Sequence, residues 1–188
     1  MMIGVVSDTH GYFDPALPES LEGVETILHA GDVGSIAILD QLRAIAPVQA
    51  VQGNVDSAAL GLPLTLTVRY EGIAILVQHQ LTRPQSVLSD WADLPTSGKP
   101  FQQRQRFLES FPEQTQVVIF GHSHEPCAMI LACRLFFNPG SAGRKRFSLP
   151  RCCGRLEVSP RGVRATILGL ERYHEDLPAE AWLPKGGL

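Results

Sequence analysis

The chain has 188 residues and a formal net charge of −3, with 44% hydrophobic and 19% charged residues. This length fits one domain, and the apolar fraction is sufficient for a packed core. Neither the net charge nor the composition is typical of a protein that binds nucleic acid or a membrane surface. The N-terminus has no basic signal-peptide region, and no apolar run reaches the ~18 residues of a membrane span, so we expect a cytoplasmic protein.

Short apolar runs alternate with a helix-length stretch in the first part of the chain. Continuous apolar runs predict buried strands at residues 3–6, 24–28 and 48–51. Apolar residues then recur at three- and four-residue steps, which predicts a helix over about 35–46, and Pro47 ends it. This alternation is typical of an α/β sheet with partly parallel strands.

The later part of the chain is richer in strands. Glu71-Gly72 separates two apolar runs and predicts a hairpin turn, and a helix is predicted over about 100–111 after an irregular segment at 80–100. The further strands are predicted at 64–70, 73–77, 116–120, 128–131, 135–137, 155–158 and 163–168. We expect a single domain over 1–177 and a loose C-terminal tail over 178–188.

The four cysteines do not have the spacing of a known metal or redox motif. They comprise a C-x5-C pair and a directly adjacent pair, which match neither a zinc ribbon nor a thioredoxin motif. We therefore expect them to be small apolar side chains. They are Cys127, Cys133, Cys152 and Cys153.

Side chains of metal-binding type follow five of the predicted strands. Because ligands bind at the carboxyl ends of strands in open α/β sheets, these five segments should converge. Oxygen and imidazole ligands suit Mn, Fe, Zn, Co or Ni. In an extended D-x-H or H-x-H segment alternate residues share one side, so we expect each pair to point the same way. The residues are Asp8, His10, Asp32, Asn54, His79, His122 and His124.

The order D-x-H, G-D, G-N, H and G-H-x-H, over about residues 3–141, resembles the calcineurin-like metallophosphoesterase superfamily. The short chain and the sequence Asn138-Pro139-Gly140-Ser141 resemble its small single-domain phosphodiesterase branch. The resemblance implies a four-layer α/β/β/α sandwich of two mixed sheets. It also implies a ligand assignment: Asp8, His10 and His124 to one metal, Asn54, His79 and His122 to a second, and Asp32 to both.

The activity implied by the resemblance is metal-dependent hydrolysis of a phosphate diester. Two divalent ions would lie ~3.5–4 Å apart and clamp the phosphate. Mn is the favoured ion, and Ni, Fe, Zn or Co are alternatives. A hydroxide that bridges them would attack phosphorus, so no protein nucleophile is needed. Asp32, Asn54 and His122 are the residues that the resemblance implies in catalysis.

Two positions depart from the pattern of the superfamily. Many members have a histidine directly after the motif asparagine, where it assists the leaving group, and this chain has Val55 there. Because a general acid is most needed for poor leaving groups, its absence argues against efficient monoester hydrolysis. The phosphodiesterase branch usually has glycine after the next ligand, and here Gln80 follows His79 at the mouth of the site.

Four other features allow two interpretations each. His29 is either a support for a metal ligand or a satisfied core histidine, and Asp56 is a support or a helix N-cap. The long segment at 81–100, with Trp91, is a lid or oligomer contact or a tolerated surface insertion. The basic region at 144–172 either attracts a phosphate substrate or is a solvated surface.

The intact ligand set favours an enzyme, with a small phosphate ester as its substrate. The alternative is a non-catalytic protein-interaction scaffold on the same fold, since fold alone does not determine function. A phosphomonoesterase would share the metals but should need an acid where Val55 lies. We expect no membrane or nucleic-acid partner, and the sequence leaves open whether the chain forms a homo-oligomer.

Overall fold

The structure is a computed structural model that describes residues 1–92, 97–146, 148–171 and 180–186. Its strands are β1 (Met2–Val6), β2 (Thr26–His29), β3 (Val48–Ala50), β4 (Thr65–Tyr70), β5 (Ile73–Gln78), β6 (Val117–Ile119), β7 (Cys127–Leu131), β8 (Arg134–Asn138), β9 (Cys152–Ser159), β10 (Gly162–Gly169) and β11 (Glu180–Pro184). Its α-helices are α1 (Leu17–Ser20), α2 (Ile36–Arg43), α3 (Ser86–Ala92) and α4 (Lys99–Glu109).

The strands form two mixed sheets. The first has the order β11-β10-β9-β1-β2-β3, in which β1, β2 and β3 are parallel and the other three strands are antiparallel to their neighbours. The second has the order β4-β5-β6-β8-β7, with β5, β6 and β8 parallel. Strands β1 and β5 are buried almost throughout, which explains their continuous apolar sequence.

Three separate apolar clusters hold the layers together. The largest lies between the sheets and includes Ile3, Ile75 and Phe137. A second includes Leu17 and Leu39 and packs α1 and α2 on the outer face of the first sheet. A third packs α3 and α4 against the second sheet. The predicted four-layer α/β/β/α sandwich is therefore confirmed, as are the hairpin at Glu71-Gly72 and a helix within 35–46.

The C-terminal tail is not loose where the structure describes it. Residues 180–184 form β11, which pairs antiparallel with β10 from Gly162 to Thr166. Leu183 is only 2% exposed and joins the cluster between the sheets. The prediction of a loose tail is wrong for these residues because a short apolar sequence completes the edge of the sheet. Residues 178–179 and 187–188 lie outside the described part of the chain.

The segment at 81–100 is more ordered than its sequence indicates. It contains α3 and the first residues of α4, so the prediction of an irregular segment is wrong there. Trp91 is 6% exposed and packs on Phe107, with 5.2 Å between the ring centroids. Trp91 is thus a core residue of the α3–α4 layer. Residues 93–96 lie outside the described ranges.

Three of the four cysteines are buried apolar side chains, as predicted. Burial raises the pKa of the Cys127 thiol to about 11 and the pKa values of Cys152 and Cys153 to about 12, so these thiols stay protonated at neutral pH. Cys133 is exposed in the turn between β7 and β8, so it lies outside the apolar core. In the described parts of the chain, no helix has the length and apolar character that would let it cross a bilayer.

Candidate metal centre

The seven candidate ligands meet at one edge of the sandwich. Asp8 and His10 follow β1, Asp32 follows β2, and Asn54 follows β3, so these four come from the first sheet. The other three come from the second sheet, where one follows β5 and two follow β6. They are His79, His122 and His124.

The backbone at five of these residues is left-handed. Their φ angles lie between 47° and 71°, a region that side chains other than glycine rarely adopt. The D-x-H and H-x-H segments are therefore tight turns, and the prediction that they are extended is wrong. Each such residue costs about 1–3 kcal/mol and persists only where its surroundings determine it. The five are Asp8, His10, Asp32, His122 and His124.

Hydrogen bonds between the loops fix these turns. The backbone N–H of His10 donates to the carbonyl of Asp32 at 2.9 Å, and the Asp8 N–H donates to Gly31 at 3.0 Å. The His122 N–H donates to the Asp8 carboxylate, whose nearer oxygen is 3.1 Å away. Loops from both sheets are thereby held in one arrangement.

The first group of donors consists of Asp8, His10 and His124. The Nε2 atoms of the two histidines face each other at 3.2 Å, and His124 Nε2 lies 3.3 Å from an Asp8 carboxylate oxygen. One donor atom from each of the three residues lies within 4.8 Å of the others, as a shared cation requires. Burial, and next the charge of Arg146, lower the pKa of His10, which favours the neutral ring that binds metals.

The second group consists of Asn54, His79 and His122. Asn54 Oδ1 lies 2.9 Å from both His79 Nε2 and His122 Nδ1. His79 Nδ1 lies 2.8 Å from the carbonyl of Ala30, which can only accept, so Nδ1 carries the proton. Burial alone would lower the pKa of His79, but the hydrogen bond with Asp32 and the nearby carboxylates raise it, so without a metal Nε2 also holds a proton that faces Asp32 and Asn54. A cation bound there would take the place of that proton.

Asp32 lies between the two groups. Its Oδ2 is 3.3 Å from His79 Nε2 and 3.8 Å from His10 Nε2, while Oδ1 accepts a hydrogen bond from the Val55 N–H at 3.0 Å. Burial alone would raise its pKa, but the hydrogen bonds with His79 and Val55 lower the pKa of Asp32 to about 2. This carboxylate is therefore ionised over the whole physiological pH range, as a bridging ligand must be.

The residues present fit a pair of divalent cations. Two carboxylates, one amide oxygen and four imidazoles face a common space, and this mixture of donors suits borderline transition metals. Donor atoms of Asp8, Asp32 and His79 also lie within 4.8 Å of one another. Since Asp8 belongs to the first group and His79 to the second, the two proposed metal sites are adjacent.

Two glycines leave room for these carboxylates. A Cβ at Gly53 would collide with Asp32, and one at Gly121 would collide with Ser7 and Asp8. Both positions therefore require glycine for close approach of the backbone to a ligand side chain.

Buried polar residues around the site orient its ligands. His29 Nδ1 accepts from the Gly31 N–H and its Nε2 lies 3.0 Å from the Thr9 hydroxyl, so His29 is both buried and a support for the site. Asp56 accepts hydrogen bonds from the N–H groups of Val33, Gly34 and Gly53. Asp56 is thus a support rather than an N-cap, since Ser57 caps the short turn that follows.

Sequence reasoning missed two further supports. The Ser7 hydroxyl donates to the Asp8 carboxylate at 2.5 Å. The Asn138 amide donates to Gln85, to the carbonyl of Gly121 and to Ser123, all beside the H-x-H turn. Ser7 directly precedes the D-x-H motif, and Asn138 begins the Asn138–Ser141 motif, for which the sequence predicted no such contact. Only the fold brings Gln85 to the same place.

Most of the basic region at 144–172 is engaged away from the ligands. Lys145 pairs with Glu171 at 3.2 Å, and Arg144 stacks over the ring of Tyr12 at 4.9 Å from its centroid. Arg155 donates to main-chain carbonyls near α1. Arg146 is exposed, and its positive charge acts on His10, so it adds positive potential to the site.

Comparison with known proteins supplies the family. The family model described as a calcineurin-like phosphoesterase superfamily domain matches residues 1–161. A probable metallophosphoesterase of Methanothermobacter thermautotrophicus is 33% identical over 156 residues, which cover 80% of this chain and 82% of that protein. A phosphodiesterase of Methanocaldococcus jannaschii is 26% identical over 172 residues, covering 85% and 89%.

The fold also matches a solved structure outside the named phosphoesterases. The crystal structure of an Entamoeba histolytica Vps29 mutant aligns with a TM-score of 0.70 and 21% identity, covering 97% of each chain. At this level of identity the likeness concerns the fold alone.

Proposed function

The chain belongs to the calcineurin-like phosphoesterase superfamily, and from this membership we propose that it is a phosphodiesterase dependent on two metal ions. The observation that carries the proposal is the position of Asp32. Its ionised carboxylate lies between a group formed by Asp8, His10 and His124 and a group formed by Asn54, His79 and His122.

Each donor has a defined task in this proposal. Asp8, His10 and His124 would bind the first ion, Asn54, His79 and His122 the second, and Asp32 both. Bound there, two divalent ions of the Mn type would supply Lewis-acid activation of water and neutralise the charge of the phosphate. His122 and Asn54 are the most exposed donors, so they border the space that a substrate enters. Arg146 adds positive potential that attracts an anion.

The preference for a diester rests on the position after Asn54. Val55 is 60% exposed at the rim of the site and cannot donate a proton to a leaving group. His29 is fully buried and neutral, so it cannot take that role either. An enzyme without a general acid acts best on esters with good leaving groups. The relative from Methanocaldococcus jannaschii that is named a phosphodiesterase supports the same substrate class.

The proposal is tested by removing all metal and adding back one ion at a time. Bis(p-nitrophenyl) phosphate and p-nitrophenyl phosphate release the same chromophore, so their rates compare diester with monoester directly. We expect no hydrolysis without metal, restoration by Mn and weaker restoration by Mg, and a higher kcat/KM for the diester. Hydrolysis that is unaffected by chelation, or that favours the monoester, would contradict the proposal.

A protein-interaction scaffold is the second candidate, because the fold also matches Vps29. The intact set of seven donors favours the enzyme, since a scaffold does not need it. The same experiment separates the two: a scaffold would bind metal, as seen by calorimetry, without cleaving either ester. Mn as the resident ion and a small phosphate ester as the substrate are parts of the enzyme proposal.

A further inference from the structure

A cavity of about 430 Å³ opens beside the second donor group. Its lining includes residues 80–86 and, directly after β6, Phe120, Gly121 and His122. Since His122 belongs both to this cavity and to the proposed second metal site, a phosphate at the metals would reach the cavity directly. Binding sites for small organic molecules have volumes of about 300–1,000 Å³, so the space fits a ring system attached to that phosphate.

The outer wall of the cavity is fixed relative to the donors. Gln85 Nε2 donates to the Glu125 carbonyl at 3.1 Å, and Gln85 Oε1 accepts from the Ser123 hydroxyl at 3.0 Å and from Asn138 at 2.9 Å. These bonds tie the segment before α3 to the turn that carries His122. The cavity is therefore preformed, which lowers the entropic cost of binding a ligand in it.

The lining combines apolar and polar surface. Leu81, Pro84 and Phe120 give it an apolar part on which a ring can pack. Gln80, Thr82 and Ser86 are exposed and bring amide and hydroxyl groups to the same space. This mixture matches a ring system that carries hydroxyl or carbonyl groups better than a plain hydrocarbon.

Arg83 supplies the strongest donor in the lining. It is exposed, and no ion pair or hydrogen bond of its side chain occurs within the described residues. A guanidinium presents five N–H donors in a planar fork, so it can bind hydroxyl, carbonyl or anionic oxygens of a ligand in the cavity.

We propose that this cavity binds one alcohol arm of the substrate and that it selects a polar ring system of nucleoside size, with Arg83 as a specificity-determining residue. The inference rests on the proposed function, because the phosphate must lie at the metals for its arm to reach Arg83. Gln80 directly follows the donor His79 and lines the same cavity.

Binding to the Mn-loaded protein tests the inference without requiring turnover. Calorimetry would compare thymidine 5′-phosphate, phenyl phosphate and methyl phosphate, which share the phosphate and differ only in the arm. We expect thymidine 5′-phosphate to bind about tenfold tighter than either of the others, and Arg83→Ala to remove most of that preference. Arg161→Ala removes the same charge in the β9–β10 turn. This turn lies beside the start of β1, whereas the donors follow the end of β1, so the substitution should leave the preference unchanged.

Equal affinity for all three ligands, or an unchanged preference in Arg83→Ala, would overturn the inference. Phenyl phosphate that binds as tightly as the nucleotide would equally overturn it, because the cavity would then select a ring without its polar groups. The failure of the proposed function has a different signature, namely that no diester is hydrolysed with any metal.

Discussion

Asp32 faces donors from both groups of the site. One oxygen lies between His79 and His10, and the other accepts from the Val55 N–H. Its ionisation is secured by hydrogen bonds rather than by exposure, as its pKa of about 2 indicates. A neutral side chain of the same shape would keep the packing and lose the charge.

Asp32→Asn should therefore abolish most of the activity while the fold survives. Loss of a ligand shared by two ions removes several kcal/mol of stabilisation, which corresponds to at least about a hundredfold in kcat/KM. The measurement is diester hydrolysis at saturating Mn, with circular dichroism to verify the fold. Asp40→Asn, on the exposed face of α2, makes the same chemical change away from the site and should retain full activity. Near-full activity of Asp32→Asn would contradict the two-metal assignment.

At the residue scale, the sequence predicts the types and order of the donors well but not their backbone. The order from Asp8 to His124 is visible because the donors lie in short polar segments that follow apolar runs. Their left-handed φ angles are not visible, since aspartate and histidine carry no signal for that conformation comparable to glycine. The role of Gln85 could not be predicted either, because its hydrogen-bond partners are 38 to 53 positions away in the sequence.

At the scale of elements, β11 is the clearest difference between sequence and structure. It comprises five residues and ends in Pro184, next to a glycine-rich terminus that is typical of disorder. Its pairing depends on the edge strand β10, and the burial of Leu183 depends on a cluster that also includes residues near the start of the chain, such as Ile3. A strand of this length lacks a local pattern strong enough to predict it.

Leu183→Ala should destabilise the protein by about 2–4 kcal/mol, because it leaves a cavity in the cluster between the sheets. Urea unfolding monitored by circular dichroism gives the change in the free energy of unfolding. Leu64→Ala is the matched control, since Leu64 is 72% exposed and should change stability by less than about 0.5 kcal/mol. If Leu183→Ala changed the free energy of unfolding as little as Leu64→Ala does, the Leu183 side chain of β11 would not contribute to the core.

At the scale of the whole molecule, stability should depend on pH through His29. Burial lowers the pKa of His29 to about 4, whereas in the unfolded chain it is about 6.5. Above pH 6.5 both states are neutral and the residue has no effect. Between pH 6.5 and 4 only the unfolded state takes up the proton, so the folded state loses stability as the pH falls through this window.

Urea unfolding of metal-free protein at pH 7 and pH 5 measures this effect. His29 should account for a loss of about 2 kcal/mol between these two values. His29→Gln lacks the titrating ring, so its stability should fall by about that much less over the same interval. Parallel losses in the two proteins would show that His29 does not carry the pH dependence.

The overall architecture was predictable because the pattern of apolar runs and the order of the metal-binding residues indicate the same fold. Strand and helix lengths indicate an α/β protein, and the order of the donors indicates which α/β family it resembles. The order of strands within each sheet was not predictable from local pattern, since the pairings of β1 with β9 and of β6 with β8 join distant residues. Such non-local pairing is decided by burial across the whole sandwich.

The donors are divided between the two sheets, with Asp8, His10, Asp32 and Asn54 on one and three histidines on the other. Each proposed metal would therefore be bound by side chains from both sheets and would link one sheet to the other. A substitution in the apolar layer between the sheets, far from any donor, can move one sheet relative to the other. The four donors of the first sheet then no longer match the three donors of the second, and metal affinity falls before the chain unfolds. If the proposed metals bind, the amount of metal that a variant retains would report how well its two sheets are aligned.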